Sequence, residues 1–151
     1  MRVCILKAAR ALTLTDRGEE LLRCRVALGR EPLGAKRLEG DGRTPEGRYR
    51  ICLVKSDGKY GRSLGLDYPG PEDAAAALKD GRIDAETYRS VMRAHAEGRR
   101  PPWGTPLGGE IYLHEGGAER DWTQGCIALE PEDMAVLFAC REQIREVEIL
   151  P

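Results

Sequence analysis

Aromatic residues are scarce: one Phe, two Trp and five Tyr in 151 residues, so the core must be built mainly from aliphatic side chains. The sequence has no CxxC pair, and its cysteines are odd in number: Cys4, Cys24, Cys52, Cys126 and Cys140. Neither a disulfide scaffold nor a cysteine-rich zinc module fits that count. Charge of one sign is not in excess either, with Lys and Arg totalling 24 against 25 Asp and Glu. Such a balance gives no electrostatic basis for a dedicated nucleic-acid or anionic-membrane binder. No apolar run approaches the ~18 residues of a membrane span. The opening residues, Met1-Arg2-Val3-Cys4-Ile5-Leu6-Lys7, hold too short an apolar stretch for a secretory signal. On that reading the chain either stays inside the cell or has been trimmed of a leader. What it has in plenty is Gly (18), Pro (9) and charge (32%). That composition belongs to a turn-rich, well-solvated fold rather than a helical bundle, and the length suits a single domain over residues 1–151.

Patterning along the chain is mostly that of strands. Val3–Leu6 is a short apolar run, and Ala11–Thr15 alternates. Asp16-Arg17-Gly18 reads as a hairpin turn into a partner strand over Leu21–Leu28. Residues 29–47, with five Gly and two Pro, read as a long loop ending at Thr44-Pro45-Glu46-Gly47. Tyr49–Val54 is expected to be one strand, with Tyr49, Ile51 and Leu53 on one face. Helical signals then take over: Pro71–Asp80 is Ala-rich, and Asp84 is a natural cap for a helix over Ala85–Glu97 that Gly98 terminates. Tyr88, Val91, Met92 and His95 recur at helical spacing, which predicts that this face packs on the sheet. Ile111-Tyr112-Leu113 is a strand running into His114, Pro131 opens a last helix carrying Met134, Leu137 and Phe138, and Val147–Leu150 closes the chain. The sum is a mainly β (α+β) fold with a helical insertion at about 71–98 and one late helix.

One thiol stands apart from the others. Cys4 and Cys52 lie in apolar strand runs, Cys24 alternates with Arg23 and Arg25, and Cys140 falls on the last helix, so these four read as small hydrophobes. Cys126 instead follows the polar Thr123-Gln124-Gly125, where glycine permits a tight turn and a close approach of backbone to ligand. His114, one of only two histidines, ends a strand twelve residues upstream, and a Gly-containing loop joins the two. An imidazole that removes the thiol proton and returns it to a leaving amine is the minimum for thiol acyl transfer. Backbone N–H groups at Gly125 and Cys126 are the candidate oxyanion donors. A zinc site using His114, Cys126 and Asp121 matches no closed ligand set.

These residues bring a family into view. Ile111-Tyr112-Leu113-His114-Glu115-Gly116-Gly117 followed by Asp121-Trp122-Thr123-Gln124-Gly125-Cys126-Ile127-Ala128-Leu129 resembles the signature of the L,D-transpeptidase (YkuD-type) catalytic domain. Gly40–Gly47, Ser63–Pro69 and Pro102–Gly109 match other blocks of that family in order. The resemblance implies a β-sandwich or barrel and a cysteine acyltransferase of peptidoglycan, with Cys126 as nucleophile and His114 as base. Gly125, Thr123, Gly116 and Trp122 would belong to its oxyanion or substrate pocket. It implies stem peptides of peptidoglycan as partners, no metal or organic cofactor, and a periplasmic or wall location; separately, a monomer is expected. Related readings are a carboxypeptidase or amidase using the same thioester, or a non-catalytic wall-binding module. Two departures stand out: Glu115 replaces the usual Gly after the histidine, and Ala128 stands where many members carry Arg. Arg43, Arg62 or Arg120 would then have to supply the missing cation; the family's third triad member is usually a backbone carbonyl, for which Asp121 is a side-chain substitute, although Asp121 reads better as an exposed loop residue.

Overall fold

The computed structural model describes residues 1–151. Nine strands form two sheets. The first has β1 (Arg2–Leu6), β2 (Ala11–Asp16), β3 (Glu19–Arg25), β4 (Gly47–Tyr49) and β9 (Glu146–Leu150), in the order β3-β2-β1-β9-β4. The second has β5 (Ile51–Gly58), β6 (Gly61–Leu66), β7 (Tyr112–Glu115) and β8 (Ile127–Leu129), in sequential order. Helices α1 (Pro71–Lys79) and α2 (Ala85–Ala96) lie between β6 and β7, and α3 (Pro131–Ala139) precedes β9. No helix is long and apolar enough to cross a membrane.

Alternation decides which side chains turn inward. Val3 and Ile5 of β1, Leu12 and Leu14 of β2, and Val147 and Ile149 of β9 are fully buried. They meet Leu64 and Leu66 of β6, Leu113 of β7, and Ile127 and Leu129 of β8 in one core that joins both sheets. Met134 and Leu137 of α3 belong to the same core. The hairpin between β2 and β3 turns at Arg17 and Gly18, both at positive φ, as a two-residue turn requires. The first strand pairs in parallel with the last, Val3 opposite Val147 and Ile5 opposite Ile149.

Three expectations needed correction. The strand expected over Tyr49–Val54 is two strands in different sheets, because the chain changes sheet at Arg50. There the Arg50 N–H donates to Asp67 Oδ1 at 2.8 Å and the Asp67 N–H to the Arg50 carbonyl at 3.0 Å, drawing the chain toward the second sheet. The strand expected over Leu21–Leu28 stops at Arg25; Ala27 bridges instead to Ala128, beside the candidate site. The α2 face does not pack on a sheet. Val91 joins Ala74, Ala77, Ile83 and Leu107 in a small cluster of the insertion, with Tyr88 against it. His95 accordingly turns to the backbone, with Nε2 2.8 Å from the Pro69 carbonyl oxygen.

Because that cluster is separate from the main core, the insertion should open independently. In Leu107→Ala, which empties a fully buried position of the cluster, α1 and α2 amides are expected to exchange with deuterium about tenfold faster or more, while β1 and β9 amides keep their protection. Equal acceleration throughout would contradict two separate cores.

Candidate active site

Pairing of β7 with β8 is parallel, with Leu113 opposite Ile127 and His114 opposite Ala128. The chain between them, residues 116–126, must leave one end of β7 and return to the other end of β8, and it carries most of the candidate residues. Asp121 anchors this crossover: Arg10 donates to its carboxylate from Nε at 3.0 Å and Nη2 at 2.7 Å, and the Leu28 N–H adds a bond of 2.9 Å. The Asp121 side chain is therefore committed to the scaffold, and it is neither a triad partner nor a metal ligand. Thr123 fixes the turn itself. Its hydroxyl donates to the Cys126 carbonyl at 2.7 Å and accepts the Gly125 N–H at 3.1 Å. Gly125 lies at φ +137°, and a Cβ there would sit 2.7 Å from the Arg43 carbonyl oxygen, so only glycine fits.

The loop over residues 29–47 closes against this turn. The Gly29 N–H donates to the fully buried Thr44 hydroxyl at 3.0 Å. Lys7, also buried, reaches the Gly34 carbonyl at 2.8 Å, the Thr44 carbonyl at 2.9 Å and Glu46 Oε2 at 3.2 Å. Burial pulls the Lys7 ammonium below its usual range, and the Glu46 carboxylate opposes that.

Cys126 and His114 open onto one cleft of about 410 Å³. Trp103, Tyr60, Tyr112 and Trp122 form aromatic walls, and Lys55, Lys59, Arg30 and Lys36 bring positive charge to its edge. The Cys126 thiol donates to the Glu110 carbonyl at 3.4 Å and accepts the Tyr112 N–H at 3.4 Å. Glu110 holds φ +56°, rare for a residue with a side chain, so its carbonyl meets the sulfur through a strained backbone. His114 is almost wholly buried; Tyr60 stacks on its ring at 4.8 Å and Trp122 meets it edge-on at 5.6 Å. Its Nδ1 bonds the carbonyl of Glu115. A carbonyl can only accept, so Nδ1 carries the proton and the lone pair is on Nε2.

Burial works on both groups in the direction of neutrality. It pushes the imidazole below its usual range, partly offset by the Glu115 carbonyl. It pushes the Cys126 thiol up, against the Tyr112 N–H and with the charge of Glu110. The resting pair is a neutral thiol and a neutral imidazole. Glu115 does not alter this, because its carboxylate is held by Arg62, with Nε at 2.7 Å and the N–H at 3.1 Å. Burial would raise that carboxyl, but Arg62 outweighs it and leaves it lowered and charged.

The other sequence expectations divide. Trp122 lines the cleft, as does Trp103. Gly116 lies beneath Trp122, where a Cβ would come 2.7 Å from the indole, and it supports the wall without lining the cleft. The Gly125 N–H is spent on Thr123, so it is no oxyanion donor; the Cys126 N–H has no partner in the chain. Ala128 is fully buried beside Ala27, leaving no room for a guanidinium. Arg62 is engaged with Glu115, and Arg43 and Arg120 do not reach the cleft. Its cations without a carboxylate partner are Arg30, whose Nε donates to the Trp122 carbonyl at 3.3 Å, Lys55, 4.9 Å above the Tyr112 ring, and Lys59, 5.2 Å from that of Tyr60. The two lysines ride on the β5–β6 hairpin, whose Lys-Ser-Asp-Gly-Lys run shows no apolar alternation to mark it as a strand.

A family model described as the L,D-transpeptidase catalytic domain (YkuD) matches residues 1–149. Among solved structures, the chain is similar to the helical cell shape determining protein Pgp2 from Campylobacter jejuni, at 19% identity and TM-score 0.65, covering 97% of this chain and 46% of that one. It is similar to L,D-transpeptidase 1 from Mycobacterium tuberculosis at 13% identity and TM-score 0.54, covering 99% and 61%. Bd1075 from Bdellovibrio bacteriovorus gives 17% identity and TM-score 0.57, covering 99% and 46%. The chain thus spans about half of the length of these proteins, and at such identities the likeness is one of fold. No curated protein matches the chain.

The anchoring role of Asp121 has a pH signature. Burial pushes its carboxyl up, but the Arg10 fork and the Leu28 N–H outweigh this and hold it below the usual 3.8. A carboxyl lowered by folding contributes stability above its unfolded value and loses it as pH falls through the folded one. Asp121→Asn is expected to cost about 1–3 kcal/mol at neutral pH in urea denaturation, shrinking in acid. A variant as stable as the parent at neutral pH would contradict the anchor.

Proposed function

The chain belongs to the L,D-transpeptidase catalytic-domain family, and from that premise we propose that it is a cysteine acyltransferase of peptidoglycan stem peptides. The observation that carries the reading is the shared cleft, in which a half-buried thiol and an imidazole with its lone pair on Nε2 face the same space. The thiol turns from the Glu110 carbonyl to Nε2, the imidazole takes its proton, and the sulfur attacks the carbonyl of the stem's diamino acid. The Cys126 N–H, free of any partner in the chain, receives the oxyanion. The imidazolium then protonates the departing D-Ala amine, leaving a thioester on Cys126. An acceptor amine, deprotonated by the same imidazole, attacks the thioester and restores the thiol.

The Glu115 carbonyl is the third member of this arrangement: it fixes the tautomer and steadies the imidazolium while it exists. Lys55 and Lys59, the unpaired ammonium groups of the cleft, suit the carboxylates of a stem peptide in place of the absent arginine. The aromatic walls suit its aliphatic backbone and side chains. A chain acting on this substrate works where peptidoglycan is exposed, in the periplasm or the wall.

The test uses a carbapenem as acylating probe, read by intact mass. One adduct is expected on the parent and none on Cys126→Ala, and His114→Ala should slow acylation by ~10² or more. An adduct that survives Cys126→Ala, or a slowing under about threefold in His114→Ala, would overturn the assignment.

The pH dependence follows from the neutral pair. With the imidazole lowered by burial, its base form prevails once pH exceeds a value below the usual 6.5. Acylation should rise through that limb and level off by neutral pH. A midpoint above 6.5 would contradict the lowering of the imidazole by burial.

A further inference from the structure

A second cavity, of about 640 Å³, shares no lining residue with the catalytic cleft. It forms where the chain changes sheet, with Arg48 and Arg50 from that crossing, Arg99 and Arg100 from the end of α2, and Arg145 from the start of β9. Its only carboxylates, Asp67 and Glu146, are already engaged. Asp67 accepts the Arg50 N–H at 2.8 Å and lies 3.6 Å from His95 Nδ1, and Glu146 Oε1 is 3.0 Å from Arg2 Nε. Glu148 takes Arg48 at 3.2 Å, and Glu97 takes Arg99 at 2.6 Å. Arg50, Arg100 and Arg145 have no carboxylate partner anywhere in the chain. A net charge of −1 thus conceals a strongly cationic hollow.

We propose that this hollow is a binding site for a ligand carrying two or more phosphate groups. Five exposed arginines line the hollow, three of them without a carboxylate partner, and a guanidinium offers paired N–H donors to several oxygens at once, which suits dianionic phosphate better than an isolated carboxylate. The lining is mostly polar, so it offers no bed for an acyl chain. Its one aromatic, Tyr49, is 2% exposed, so no base can stack on it. Arg100 lies 4.6 Å over the ring of Trp103, which lines the catalytic cleft, so an occupied hollow borders the wall of that cleft. This site does not depend on the acyltransferase reading.

Calorimetric titration of the folded chain with tripolyphosphate tests it, beside inorganic phosphate, phosphatidylglycerol vesicles and a mixed-sequence single-stranded oligonucleotide. Saturable tripolyphosphate binding is expected, weakened by added salt. It should fall about tenfold or more in Arg50→Ala/Arg145→Ala, the equivalent of one lost charge-assisted bond. Binding should persist in Arg89→Ala, an exposed arginine outside the hollow. Carbapenem acylation of Cys126 should be unchanged in the double variant, which also certifies its fold; if that variant is unfolded, Arg145→Gln with the same readout replaces it. No saturable tripolyphosphate binding, binding undiminished by the substitutions, or binding only to vesicles or to the oligonucleotide would overturn the proposal.

Discussion

Two strands of three and four residues pair in parallel at the centre of the candidate site, and parallel pairing obliges the intervening chain to cross back over the sheet. Residues 116–126 make that crossing in a short span with no helix. Such a crossover holds its shape only through bonds that tie it down. Arg10 grips Asp121, the Thr123 hydroxyl closes the turn, and Gly125 passes against the Arg43 backbone. Cys126 leaves this crossing at the edge of β8 with its sulfur on the first backbone groups of β7. Loss of the parallel register would separate the thiol from the strand that carries the imidazole.

Electrostatics follow from that placement. The sulfur and the imidazole are both withdrawn from water, and each is driven toward its uncharged form. A carboxylate next in sequence to the histidine would ordinarily favour imidazolium, but Arg62 holds the Glu115 side chain away and leaves only its carbonyl for Nδ1. Asp121, the other acidic candidate, serves Arg10. In the proposed reaction, charge would develop on this pair only when a proton moves from sulfur to Nε2, beside the aromatic walls of the cleft.

Much of this was legible in the sequence, and the parts that were not share a cause. The apolar run at Val3–Leu6, the alternation at Ala11–Thr15, the Asp84 cap and the Pro131 helix start all correspond to observed elements. Cys126 and His114 could be singled out because a Gly-preceded thiol and a strand-end histidine are distinct from core residues, and both line the cleft. Features set by tertiary bonds left no local signal: the change of sheet at Arg50 depends on Asp67, and the fate of the α2 face depends on Leu107. Spacing likewise shows which N–H groups exist near Cys126, but not that Thr123 consumes one of them. Two cations of the cleft, Lys55 and Lys59, lie on a polar hairpin that lacks the alternation by which strands are read, and the arginine hollow gathers residues from three distant segments.

The central claim is that His114 rests neutral, with its proton on Nδ1 and its lone pair directed from Nε2. Nitrogen-15 NMR of the imidazole at neutral pH measures this directly. A protonated Nδ1 with an unprotonated Nε2, unchanged by Cys126→Ala, is the expected result. A proton on Nε2, or an imidazolium carrying both, would contradict the account.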